Sequence, residues 1–165
     1  MNERQPYETV DFILAEMARR GLTDTAEIAL LGMAFKGVPA TDDLRGSMSL
    51  KVLDALAKAR PGLRVRIYDP VVPAADLQAQ VPGHTAFDSL AEAVEGASVV
   101  IIANNHPDLG RKQPIDLHEL MGPKGFIYDY WNHFSNLSPA ELGRSYFAVG
   151  NIKSKHPPSV VDVPY

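Results

Sequence analysis

A chain of 165 residues, 45% hydrophobic and 22% charged, has the size and composition of one globular domain able to bury a core. Its net charge of -4 and the absence of any basic run exclude an electrostatic stripe for nucleic acid. No segment approaches the roughly 18 to 20 consecutive apolar residues of a membrane helix, and the polar first residues are no signal-peptide core, so a cytoplasmic protein is expected. With no cysteine there is no disulfide, thiolate metal site or cysteine nucleophile within these residues.

Pro6 suits an early helical position, and Val10, Ile13, Leu14 and Met17 recur at helical spacing before Gly21, which predicts an amphipathic helix over residues 6 to 20. The apolar run Ile28–Leu31, closed by Gly32, reads as a strand buried on both faces. After a loop rich in Gly, Pro, Thr and Asp, Ser47 can cap a helix with Leu50, Leu53, Leu56 and Ala57 inward, stopped by Pro61 and Gly62. Val65–Tyr68 is the second strand. Ser89 and Glu92 form a capping box for a helix running to about Gly96, followed by a strand over residues 99 to 103. A short helix over residues 115 to 121 ends at Gly122, and strands are expected over 126 to 128 and 146 to 149, with an extended tail from Asn151.

This alternation predicts an α/β fold: a doubly wound, mostly parallel Rossmann-like sheet with helices on both faces, preceded by an N-terminal helix. Ligands of such sheets bind beyond the carboxyl ends of the strands, so the residues after each strand are the candidates. Behind the first strand, residues 32 to 45 gather glycines with Phe35, Lys36 and Arg45. Glycine admits close approach of a ligand, the two cations suit a diphosphate and Phe35 offers a stacking face. Asp42, Asp43 and Arg45 equally suit a surface ion pair and a helix-entry turn. Val38 stands where a P-loop needs lysine, and no G-x-G-x-x-G occurs, which excludes both phosphate-binding fingerprints.

Asp69 follows the second strand, where dinucleotide folds place a ribose-binding acid, but Asp69-Pro70 reads better as a turn starter. Asn104, Asn105 and His106 follow the strand ending at residue 103 and read as loop chemistry ahead of acid–base chemistry. Trp131, in the cluster Asp129-Tyr130-Trp131-Asn132-His133, can line a pocket or cover core. His84, His118 and His156 lack metal-ligand spacing and read as surface residues, so no metal site is expected.

Leu30-Leu31-Gly32-Met33-Ala34-Phe35-Lys36, continued by Thr41-Asp42-Asp43-Leu44-Arg45-Gly46-Ser47, closely resembles the carboxy-terminal domain motif of the UDP-glucose/GDP-mannose dehydrogenase family. Val65-Arg66-Ile67-Tyr68-Asp69-Pro70, the strand leading to His106, Ile127-Tyr128-Asp129 and the segment 146 to 150 resemble its later landmarks, so the resemblance spans about residues 1 to 150. It implies three parts: residues 1–22 as the end of a central connecting and dimerisation helix, 23–150 as a nucleotide-sugar-binding Rossmann-like domain, and 151–165 as a tail.

The resemblance further implies an oxidoreductase of polysaccharide biosynthesis. Full-length relatives oxidise the C6 alcohol of a nucleotide sugar to a carboxylate in two NAD-dependent hydride transfers, through a thiohemiacetal on a cysteine outside this domain. This chain, without cysteine or dinucleotide fingerprint, is not expected to catalyse that oxidation or bind NAD tightly alone, and contributes no catalytic residue. Its expected partners are a UDP-sugar, the NAD-binding and central domains in cis or trans, and a second copy in a homodimer. Phe35 and Lys36 resemble substrate contacts and Arg45 resembles a contact to NAD. In UDP-glucose enzymes the segment after Asp129 often carries a substrate-binding arginine; here Trp131 and Asn132 are the candidates to replace it. A free-standing interaction or regulatory domain derived from the same fold is the alternative, ahead of a small complete enzyme using His106 and Asp129.

Overall fold

The alternation of short apolar runs and helical segments becomes, in a computed structural model, one six-stranded parallel sheet; residues 5–22, 26–33, 48–104, 106–111, 114–121, 124–130 and 145–148 are described. The strands are β1 (Ile28–Leu31), β2 (Val65–Tyr68), β3 (Thr85–Ala86), β4 (Val99–Ile102), β5 (Phe126–Asp129) and β6 (Tyr146–Ala148), in the order β3-β2-β1-β4-β5-β6. The helices are α1 (Gln5–Arg19), α2 (Met48–Ala59), α3 (Ala74–Gln80), α4 (Leu90–Val94) and α5 (Pro114–Leu120), with a 3-10 turn at Pro107–Gly110. The expected doubly wound fold is present; β1 and β4 are buried at every position, as their uninterrupted apolar runs require, and so is β5, its terminal Asp129 included. Nearer the edge, β2 alternates between buried and partly buried residues.

The two-residue period of a strand divides the core. Ile28, Leu30, Ile67, Ile101, Tyr128 and Phe147 face α1, α2 and α3, whereas Leu31, Val100, Ile102, Ile127 and Tyr146 face α4 and α5. Right-handed crossovers account for this: the chain winds outward from β1 to β3 with helices on one face, then returns to β4 and winds the other way with helices on the opposite face. Among the described residues no crossover helix lies on the first face over β5 and β6, and α1 covers it. Phe12 lies 5.4 Å from the Tyr128 ring and 5.0 Å from that of Phe147. The buried Thr9 accepts a short hydrogen bond from the Tyr130 hydroxyl and approaches that of Tyr128.

Gly21, at φ +74°, ends α1 as expected, with Leu22 N–H bonded to the Met17 carbonyl and Gly21 N–H to that of Ala18. Arg20 then fastens the end of the helix. Its Nε donates to Glu16 at 2.6 Å, Nη1 donates to the Ser145 hydroxyl at 3.0 Å, and the guanidinium lies over the Phe126 ring at 5.1 Å.

Two readings of the sequence need correction, and two elements escaped it. The inward face of α2 runs through Ser49, Val52, Leu53 and Leu56, with Ala55 also buried, and leaves Ala57 exposed; the helical period was right and the face was rotated. The helix α3 and strand β3 lacked any apolar period, having Leu77 as their one fully buried apolar residue. They are instead stitched by polar groups: Gln78 Nε2 donates to the His84 carbonyl at 2.6 Å, Ala86 N–H donates to Gln78 Oε1 at 3.0 Å, and Asp88 caps Ala74 N–H at 2.8 Å. Finally, His84 and His118 are partly buried rather than surface residues. The helix start expected at Ser89 is present, with the Ser89 hydroxyl accepting the Glu92 N–H at 3.4 Å.

His84 Nδ1 accepts the Val65 N–H at 3.0 Å, which requires that nitrogen to be unprotonated. Burial, then the charge of Arg64, lowers its pKa from the ordinary 6.5; burial and Arg20 lower that of His118 likewise. The unfolded chain therefore takes up more protons, and this contribution to stability is present above pH 6.5 and lost as the pH falls through that value. The melting temperature should fall between about pH 7.5 and about pH 5.5. His84→Asn, whose Oδ1 can replace the Nδ1 acceptor, should flatten the slope; an unchanged slope would show that His84 is not responsible. Thr9→Val, which removes the hydroxyl bonded to the buried hydroxyls of Tyr128 and Tyr130, should cost about 1 to 3 kcal/mol in urea denaturation.

Candidate functional site at the carboxyl edge of the sheet

The strand order reverses direction between β1 and β4, and the crevice outside this point is where open α/β sheets take their ligands. Register places Tyr68, Leu31, Ile102 and Asp129 side by side at the strand ends. The ladder extends one residue further: Gly32 N–H bonds to the Tyr68 carbonyl at 2.8 Å, Ala103 to Leu31 at 2.8 Å and Tyr130 to Ile102 at 2.9 Å. Asp69, Gly32, Ala103 and Tyr130 thus form the rim.

Gly32 has φ +90°, open to glycine at little cost, and a Cβ there would lie 2.7 Å from the Asn104 Cγ. The Ser49 hydroxyl, one residue into α2, makes a short hydrogen bond to the Gly32 carbonyl. The Met33 N–H donates to Asp69 Oδ2 at 2.7 Å, and the Asn104 Nδ2 stands 3.5 Å from that same oxygen. Asp69 Oδ1 accepts the N–H groups of Val71 at 2.7 Å and Val72 at 3.0 Å, because Pro70 between them has none to give. Asp69 and Asn104 are both almost wholly buried. The turn expected at Asp69 is present, and the carboxylate also reaches across the sheet to β1, which the sequence reading missed. Its only signal in the sequence was an acid standing directly after a strand.

His106 and Asp129 are also engaged by the fold. His106 Nδ1 accepts the Asp108 N–H at 3.1 Å, opening the 3-10 turn, and its own N–H donates to Asn104 Oδ1. Asp129 is fully buried and accepts the Tyr146 hydroxyl at 2.5 Å. Burial, then the charges of Asp108, Asp69 and Asp88, pushes the Tyr68 hydroxyl up, which marks this side of the rim as acidic. Arg111 is held by Asp108 at 2.8 Å.

Phe35, Lys36, Arg45, Trp131 and Asn132 lie outside the described residues. The described chain does fix where their segments leave the sheet: Met33 at the end of β1, Tyr130 at the end of β5. Among the described residues, no group of three His, Asp or Glu could hold a metal ion, and no helix is long and apolar enough to cross a membrane.

Residues 29–136 match the family model described as the UDP-glucose/GDP-mannose dehydrogenase family, UDP binding domain. A UDP-glucose 6-dehydrogenase of Pseudomonas aeruginosa is 36% identical over 78% of this chain and 28% of its own length. A UDP-N-acetyl-D-mannosamine dehydrogenase of Pyrococcus horikoshii is 33% identical over 66% of this chain and 22% of its own. The solved structure of the UDP-D-ManNAc dehydrogenase from Pyrococcus horikoshii superposes with a TM-score of 0.70 at 28% identity, covering 90% of this chain and 31% of that one. The chain thus spans less than a third of the length of these relatives. The chain belongs to the UDP-glucose/GDP-mannose dehydrogenase family, in which it corresponds to the UDP-binding domain.

Proposed function

We propose that this chain is the nucleotide-sugar-binding part of an NAD-dependent nucleotide-sugar 6-dehydrogenase, acting together with NAD-binding and central domains supplied in cis or in trans. The match of residues 29–136 to a UDP-binding domain carries this reading, since it begins in β1 and runs past the end of β5, across the switch point of the sheet. The reaction of the assembled enzyme is oxidation of a C6 alcohol to a carboxylate, and this chain supplies binding and orientation rather than the nucleophile. On this reading α1 is the end of the connecting helix and contributes to a dimer.

Charge supports the assignment of the binding residues. Around Tyr68 the described rim carries Asp69, Asp88 and Asp108, and an anionic diphosphate needs cations there. Lys36 and Arg45, in the segment that follows Met33, are the groups of the right sign. Lys36 meets the diphosphate, Phe35 packs against the base or sugar, Trp131 and Asn132 complete the sugar pocket, and Arg45 reaches the NAD held by the neighbouring domain.

The dinucleotide itself does not fit the crevice between β1 and β4. The glycine surface at Gly32 is covered by Asn104, and the Asp69 carboxylate, at the position of a ribose-binding acid, is occupied by backbone donors. NAD therefore belongs to the partner domain on this reading.

Titration with UDP-glucose, UDP-N-acetylmannosamine, GDP-mannose and NAD, followed by calorimetry and Trp131 fluorescence, is the direct test. Saturable binding of one nucleotide sugar, weakened about tenfold or more by Lys36→Ala, is the expected result, as loss of a charge-assisted phosphate contact implies. Silence with every nucleotide sugar would overturn it in favour of a non-catalytic interaction domain, the reading suggested by Tyr130-Trp131-Asn132 after Asp129.

A further inference from the structure

We infer that Asp69 is a positioning residue for the nucleotide-binding segment after β1, rather than a ribose-binding acid or a turn residue alone. The inference rests on the proposed function for its consequence, and on geometry for its substance. A single buried carboxylate collects the Met33 N–H on one oxygen and the Val71 and Val72 N–H groups on the other, with the Asn104 amide next to the first. It bonds two strand exits to each other at the switch point, where β1 would otherwise leave the sheet with a free N–H.

The surroundings make this bond directional. Gly32 turns at positive φ against Asn104, its carbonyl is held by Ser49 of α2, and its N–H completes the ladder to Tyr68. Gly32 is therefore held through both backbone polar groups, and the next N–H, that of Met33, is held by Asp69. The Met33 side chain is buried in the core on the α1 and α2 face. The chain that continues to Phe35 and Lys36 thus starts from a fixed position and direction. Placement of binding residues to within a fraction of an ångström requires such support behind them.

Asp69→Asn separates this role from the turn. The amide keeps one oxygen for the Val71 and Val72 N–H groups but turns an NH2 toward the Met33 N–H, where two donors repel. The variant should remain folded, with affinity for UDP-glucose reduced about tenfold or more, in keeping with the sensitivity of bound geometry to small displacements. His84→Asn, at the opposite end of the sheet, should leave that affinity unchanged. Amide hydrogen exchange supplies a readout without ligand: Met33 N–H should be protected in the wild type and lose protection in Asp69→Asn.

Wild-type affinity in Asp69→Asn, or a Met33 amide whose protection the substitution leaves unchanged, overturns the inference. NAD binding by the wild type that Asp69→Asn abolishes overturns it too, since Asp69 would then be a ribose contact. If no nucleotide sugar binds the wild type, the proposed function fails while the amide exchange measurement still decides the role of Asp69. If the variant does not fold, the wild type alone decides it: a Met33 amide that exchanges as fast as in an unfolded chain overturns the inference, because the bond to Asp69 would then be absent.

Discussion

The constraint on which the rest depends is the handedness of the crossovers. Because a strand, helix and parallel strand connect right-handedly, a sheet ordered β3-β2-β1-β4-β5-β6 receives α2 and α3 on one face and α4 and α5 on the other. Each set covers only its own half. The β5 and β6 half of the first face is completed by α1, which lies before the first strand in the sequence and packs beside α2. Phe12 and Thr9 of α1, with Arg20 just beyond it, meet Tyr128, Tyr130, Phe126 and Phe147, so the helix is part of the core rather than an appendage. It follows that the exit of β5, and with it the start of the segment bearing Trp131 and Asn132, is held through Tyr130 by a helix that begins at Gln5.

The same strand order creates the crevice at the switch point and determines how it is filled. In a dinucleotide cradle the glycine after β1 lies bare and the acid after β2 waits for a ribose. Here both positions are present and both are turned inward, with Gly32 under the Asn104 side chain and Asp69 bonded to backbone. The rim around Tyr68 is acidic. A shared fold thus admits different uses of the same positions, here with the polar groups at the strand ends bonded to the backbone.

Much of this was legible in the chain itself. The run at residues 28 to 31 read as a strand buried on both faces and that at 99 to 103 as a strand, and they are central. Gly21, and Ser89 with Glu92, announced a helix end and a helix start, and both hold in the structure. The motif from Leu30 to Ser47 identified the family. What escaped was of two kinds. The elements α3 and β3 carry no apolar rhythm, since Gln78, His84 and Asp88 hold them together through hydrogen bonds that no periodicity reveals. The face of α2 was placed one position off, because Ala57 is as apolar as Ala55 and only the neighbouring helix and sheet distinguish them.

The sequence by itself determined the type of the elements that carry an apolar rhythm, the helix stops and the family, because propensity, period, capping and motif spacing act within a few residues of one another. The tertiary structure alone decided which half of the sheet α1 covers and that Asp69 serves the backbone of Met33, 36 positions away in the chain. An acid after a strand can accept from a turn, a sugar or another strand with equal chemistry. Which donor reaches it depends on which strands become neighbours, and that is settled only when the whole sheet closes around β1.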